Sequence, residues 1–264
     1  MKRFLAYALT VFLMSSLAVV RAADPLVLYT FREGSGKTVH DVSGNGTPLD
    51  VIGVDAGSLK WLPGRGLRIT DPTLLASVGP ATKIIEACMA TNEITIEAWV
   101  KPSSDELGGP ARIVTCSVDP SNRNFTMGQD IEKPVKGYQI RLRTPIAGVN
   151  GSDVRIEEPG DTVVLNKTSK LVYTRNAAGE AKFYINGEEI ATKQIDGNFS
   201  NWDASYRLGM GNELDLAGER FWLGELYYIA IYNEAIHPDQ LPDFSPVEPA
   251  GKLTSTWAGI KASR

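Results

Sequence analysis

The chain has 264 residues, 43% hydrophobic and 22% charged, with 27 Lys and Arg against 31 Asp and Glu. That is enough to bury a sizeable core, in one large β domain or two small ones. A formal net charge of −4 with no basic stripe argues against nucleic acid as a partner, since phosphate binding needs clustered Lys and Arg.

The chain opens with "MKRFLAYALTVFLMSSLAVVRA", in which Lys2 and Arg3 precede an apolar run that ends in small residues around Val20 and Ala22. This is the layout of a secretory signal peptide over residues 1–22, cut after Ala22. The run from Phe4 to Val20 leaves an uncleaved membrane anchor as the alternative, while Ser15 and Ser16 favour cleavage. Cleavage takes Lys2, Arg3 and Arg21 and no acid, so the mature chain is more acidic. No later stretch is apolar enough to span a bilayer, so no stable membrane insertion is expected after signal removal. The expected location is secreted, periplasmic or cell-surface.

From there the chain reads as short strands between turn signals, at 26–31, 67–70, 94–100, 112–118, 124–129, 138–144, 171–175, 182–187, 189–195, 206–211 and 226–232. In "ITIEAWV", Ile94, Ile96, Ala98 and Val100 form one face, and Thr95, Glu97, Trp99 and Lys101 the other. Asn186-Gly187 in "INGEE" predicts a tight hairpin, because that pair tolerates positive φ. One stretch, "PTLLASVGPATKIIEACMA" (72–90), follows the helical period through Leu74, Leu75, Val78, Ile84, Ile85 and Cys88 and predicts one or two short helices. Cys88 and Cys116 are either a disulfide or two buried thiols. After Pro242 the composition turns Pro-rich, so residues 23–241 form one domain and 242–264 a tail or linker. Many short strands without βαβ alternation predict an all-β sandwich.

Several blocks are more particular: "DVSGNG" (41–46) after an opening strand, then "ITIEAWVKP", "LVYTRNAAGEAKFYINGEEIAT", "YRLGMGNE" and "FWLGELYYIAIYNEAI". Their order and spacing resemble the laminin-G-like domains of the concanavalin A-like lectin/glucanase superfamily, over residues 26–240. The resemblance implies a jelly-roll of two antiparallel sheets, one concave, with the first strand pairing beside the last. It also implies recognition of glycans, matrix components or surface proteins, although some relatives cleave glycans. Fold alone does not decide between these.

The acids of "ELDLAGE" bear on that choice. Relatives that hydrolyse glycans resemble Glu-x-Asp-x-Glu on one strand face, with carboxyls about 5–5.5 Å apart for retention or about 6.5–9.5 Å for inversion. Glu213, Asp215 and Glu219 are spaced one residue wider than even the bulged form, and six strand residues span roughly 20 Å. A polar loop before the last strand is the expectation, with no catalytic residue assigned. His40 and His237 show no triad or metal spacing. "YQIRLRT" reads as a strand with Gln139, Arg141 and Arg143 turned to solvent.

The resemblance further implies a possible structural calcium held by Asp41, Asn45 and loop carbonyls, oxygen donors of the kind that ion takes. Tyr227 and Tyr228 stand where relatives place the remaining acids. Among aromatics able to stack on sugar rings, Trp202 and Trp222 lie near Asp203, Asn212 and Arg220, which makes these five the expected ligand-binding set. The expected function is an exported, non-catalytic module for a polysaccharide or glycosylated surface. A glycan-cleaving enzyme, or an adhesion domain for an extracellular protein, are the alternatives.

Overall fold

A computed structural model of the protein describes residues 24–105, 107–130, 137–151, 156–157, 162–216 and 220–245. The signal segment, Glu219 and the tail beyond Ser245 lie outside the described residues.

Sixteen strands are present among the described residues: β1 (Val27–Tyr29), β2 (Thr38–Val39), β3 (Val51–Gly53), β4 (Leu59–Leu62), β5 (Gly66–Ile69), β6 (Leu75–Ser77), β7 (Ile94–Pro102), β8 (Ala111–Asp119), β9 (Asn122–Asp130), β10 (Gly137–Leu142), β11 (Ile156–Glu157), β12 (Ser169–Arg175), β13 (Glu180–Ile185), β14 (Glu188–Gln194), β15 (Arg207–Met210) and β16 (Gly224–Tyr232). One α-helix, α1 (Thr82–Thr91), joins β6 to β7. The first sheet runs β14-β13-β12-β7-β16-β5-β4, with β1 also on β16, and the second runs β11-β10-β9-β8-β15-β6-β3-β2. The sandwich is therefore all-β and antiparallel, and β1 does pair with β16, Val27 opposite Ile231 and Tyr29 opposite Ile229.

Period-two patterning explains the layers. Ile94, Ile96, Ala98 and Val100 of β7 are fully buried between the sheets with Phe125, Met127, Phe183 and Trp222. Each buried aliphatic or aromatic side chain contributes roughly 1.5–3 kcal/mol of transfer free energy. The Asn186-Gly187 turn joins β13 to β14 with φ of 54° and 87°, both positive, as a type I′ turn requires.

The outer face of the first sheet is covered too. Leu28, Ala230, Tyr232 and Ile236 form a second small cluster under Leu241 and Phe244. The Phe244 ring meets Tyr228 edge-on at 5.8 Å, and Arg32 donates to the Phe244 carbonyl at 2.9 Å. The sandwich's footprint thus reaches Ser245.

The helical reading of 72–90 holds only in its second half. Leu75–Ser77 is strand β6, paired with β3 and β15, and Val78 is exposed. A short apolar run fits either period, and a vacant place between two strands decides it here. Past Gly79-Pro80 the helix forms, buries Ile84, Ile85 and Cys88, and ends at Asn92 in the left-handed region. Cys88 and Cys116 are buried free thiols. Burial raises both, Cys116 to about 12.

Candidate functional site

The stretch Glu213–Leu216 forms a turn after β15, closed by the Leu216 N–H on the Glu213 carbonyl at 3.2 Å, with Leu216 at a φ of 54°. Asp215 is exposed, whereas Glu213 is fully buried. Glu213 Oε2 accepts from Arg112 Nε at 2.7 Å, and Oε1 accepts from the Ser117 hydroxyl at 2.5 Å and the Leu214 N–H at 3.0 Å. Both carboxylate oxygens are thus engaged in anchoring the turn over the second sheet. Gly209 makes the close approach possible: a Cβ there would stand 2.5 Å from Leu214 Cδ2.

Beneath that turn, register sets out three polar rows on the outer face of the second sheet. Arg112, Gly128 and Gln139 lie opposite one another across β8, β9 and β10. Gly209, Thr115, Thr126 and Arg141 form the next row, and Arg207, Ser117 and Arg123 the third. A hydrogen-bond chain runs along them. Thr115 Oγ1 lies 2.6 Å from Thr126 Oγ1 and 3.1 Å from the Ser117 hydroxyl. Gln139 donates to Asp130 at 2.9 Å and accepts from Arg141 Nε at 2.6 Å, and Arg141 reaches Asn150 at 3.1 Å.

Arg112, Arg141 and Arg220 act electrostatically on Arg123, Arg220 acts on Arg112, and Glu213, Asp130 and Asp119 lie within reach of the same group. Arg112 and Arg123 are 0% and 1% exposed. Desolvation lowers both guanidiniums, the neighbouring arginines add to it, and Arg123 falls to about 9. Arg112 donates through Nη1 to the Pro110 carbonyl and Arg123 through Nη2 to that of Pro120. Among the described residues Arg112 Nη2 and Arg123 Nε and Nη1 have no acceptor. A buried donor left unpaired costs about 1–3 kcal/mol.

The five expected ligand residues do not converge. Trp202 is 5% exposed, stacks on Phe199 at 4.4 Å and donates to the Arg143 carbonyl. Trp222 is fully buried and donates to Gln129 at 2.9 Å. Both rings are core, with no face left for a sugar, which corrects the stacking expectation. Asp203 closes a local turn through Ser205 and pairs its backbone with the Asn124 amide. Asn212 is buried and accepts from the Glu213 N–H. Arg220 does lie at the guanidinium group, half-buried, with its carbonyl accepting from the Arg112 N–H. Gln139 is 1% exposed rather than solvent-facing, because the row it belongs to is covered. On the first sheet, Trp99 leans on Tyr227 and Tyr228 at 5.2 and 5.9 Å. Nearby, Thr174, Asn176, Lys182, Tyr184 and His237 line a cleft of about 220 Å³, smaller than ordinary ligand pockets.

Residues 78–241, more than half of the chain, match the Laminin G 3 family, described as the concanavalin A-like lectin/glucanases superfamily. The chain belongs to that superfamily. No curated protein matches this superfamily member in sequence. Among solved structures, domain 4 of AbnA, a GH43 extracellular arabinanase from Geobacillus stearothermophilus in complex with arabinotriose, superposes with a TM-score of 0.57 at 16% identity, over 83% of this chain and 97% of that one. A Trypanosoma rangeli sialidase in complex with sialic acid gives 0.56 at 12% identity, over 81% of this chain and 31% of the sialidase. A structure from work on cell entry of botulinum neurotoxin type C through two ganglioside molecules gives 0.55 at 15% identity, over 82% of this chain and 50% of that one. At such identities the likeness is one of fold.

The calcium implied by the family resemblance meets a different occupant. Lys83, on α1, places Nζ 2.8 Å from Asp41 Oδ2 and 2.5 Å from the Asn45 carbonyl. The remaining Asp41 capacity goes to the N–H groups of Leu28, Ser43 and Leu49, each at 3.1 Å. Burial alone would raise the Asp41 carboxyl, but Lys83, Ser43 and the Leu49 and Leu28 amides outweigh it and hold it below the usual range. The ammonium fills the position between carboxylate and carbonyl that a cation would take. Among the described residues no three His, Cys, Asp or Glu side chains gather as a metal-binding group. The residues around Asp41 therefore do not fit calcium.

Proposed function

We propose that this superfamily domain is an exported carbohydrate-binding module that acts by recognition. The observation that carries the reading is the concanavalin A-like two-sheet sandwich itself. Fold neighbours support the assignment: one binds arabinotriose and another is connected with gangliosides. The engagement of both Glu213 oxygens supports recognition over hydrolysis, which requires a carboxyl pair about 5–9.5 Å apart across the scissile bond. Export rests on Lys2, Arg3 and the apolar run up to Ala22. Among the described residues no helix is long and apolar enough to cross a membrane.

Affinity electrophoresis through gels cast with plant and bacterial polysaccharides tests the reading, with a reducing-end assay on the same panel. Retardation by at least one polysaccharide, without new reducing ends, is expected. Release of reducing ends that disappears in Glu213→Gln would overturn it.

A further inference from the structure

Beyond the Leu241 and Phe244 cover, the outer face of the first sheet stays open as a cleft. Alternation turns Thr174 of β12 and its partner Lys182 of β13 outward, with Tyr184 two residues further along β13. The chain leaving β16 folds back to make the facing wall. Thr95 pins it there: its hydroxyl donates to the Glu234 carbonyl at 2.6 Å and accepts from the Ile236 N–H at 2.9 Å. Glu93 accepts from the Ala235 N–H at 3.0 Å, and the His237 ring then meets Tyr184 edge-on at 5.4 Å. Between these anchored walls lie about 220 Å³.

The lining groups are accessible. The side chains of Lys182, Glu180 and His237 are 30%, 51% and 52% exposed, and Asn176 is half-buried. The floor adds the hydroxyls of Thr174 and Tyr184, which have no hydrogen-bond partner among the described residues. His237 accepts from the Asp239 N–H through Nδ1 at 3.4 Å, which leaves Nε2 open. Hydroxyls, an amide and an ammonium beside the apolar edge of Ala235 and Ile236 suit a ring with hydroxyls on its rim and C–H groups on its face. The volume lies below the roughly 300–1,000 Å³ of ordinary ligand pockets, so it admits one such ring. Charge selects further. Lys182, the ammonium among the lining residues, already lies 3.2 Å from Glu189 and 3.7 Å from Glu180. An anionic ring would find that cation matched and would face Glu180 itself.

We propose that this cleft receives one ring of a neutral glycan, bound through Lys182, Asn176 and the Thr174 and Tyr184 hydroxyls and bordered by His237. This rests on the carbohydrate-binding reading and gives it a site and a ligand class.

The test titrates the mature chain, followed by nuclear magnetic resonance, with arabinotriose, galactotetraose, cellotetraose and an oligogalacturonide. Binding of at least one neutral probe is expected, with little or none of the acidic one and little change as salt is raised. Lys182→Ala and His237→Ala, both at exposed positions, should each weaken it by about tenfold with Tm close to wild type, and Tyr184→Phe, which removes one hydroxyl, should weaken it too. Neutral binding undiminished in all the variants that fold overturns the location and leaves carbohydrate recognition standing. Binding of the oligogalacturonide alone overturns the neutral ligand class, as does silence toward every probe from a chain that polysaccharide gels still retard. A chain that no gel retards overturns the underlying reading as well.

Discussion

Replacing Lys83 with Met tests whether a side chain has taken over the role of a bound cation. Asp41 Oδ2 would lose its ammonium 2.8 Å away, and the Asn45 carbonyl would lose its contact at 2.5 Å. Removing one partner of a buried ion pair costs about 3–5 kcal/mol. Asp41 is fully buried at its side chain and Lys83 only 19% exposed, so the buried value applies. The lower end, about 3 kcal/mol, is expected, because three backbone N–H groups still hold the carboxylate. At about 2–4 °C per kcal/mol for a domain of this size, Tm should fall by about 6–12 °C. The loss should also depend on pH. Asp41 is held below its ordinary value when folded, so its stabilisation is present above the unfolded carboxylate value and fades as pH falls through the folded one. That acid limb should be shallower in Lys83→Met. Differential scanning fluorimetry of wild type should give one Tm in EDTA and in calcium. A Lys83→Met protein that melts with wild type, or a wild type destabilised by EDTA, would refute the reasoning.

Two further outcomes follow from buried groups. Cys88 and Cys116 should resist a thiol reagent in the native protein and both react in guanidinium, since each is buried with its thiol raised; denatured protein with no reactive thiol would mean a disulfide. Glu97 sits under Lys170, Tyr228 and Tyr232, and desolvation raises its carboxyl despite them. A raised carboxyl stabilises below its unfolded value and loses that contribution as pH rises through the folded one, so Glu97→Gln should gain in Tm relative to wild type as pH rises above the ordinary carboxylate range. A difference that is flat with pH would contradict this.

Most of the sandwich is legible in the sequence because long strands carry an unambiguous alternation. All eleven strands read from the pattern exist, and the Asn186-Gly187 hairpin forms as its turn chemistry dictates. The strands left unread, at Thr38–Val39, Val51–Gly53, Leu59–Leu62, Leu75–Ser77 and Ile156–Glu157, are too short to show a period, and only their neighbours order them. The site is harder for a different reason. Simple alternation puts Arg112 on the same face as Val114 and Cys116, which are core. A bulge between Arg112 and Val114 breaks that parity and turns Arg112 outward, and others at Cys116/Ser117 and Ser117/Asp119 adjust the row facing Arg123. Bulges of this kind leave no reliable mark in sequence. Trp222 illustrates the converse: its polar neighbours suggest a rim, yet its side chain packs inward two residues before β16 begins. Lys83 and Asp41 meet only because α1 crosses the loop, a contact between residues far apart in the chain.

The pairing of β16 carries a consequence for how the chain reaches this state. The last strand in sequence touches β7, β5 and β1, so it is the strand about which the first sheet is organised. Residues 27–29 wait for residues 229–231 before they have a strand partner, which requires closing a loop of nearly the whole domain. Such non-local topologies fold in milliseconds to seconds rather than microseconds. An emerging polypeptide of this sequence would stay unsealed until its final strand arrives. A truncation ending before Gly224 should then be captured by chaperones or proteases while the full domain, once β16 has docked, is not.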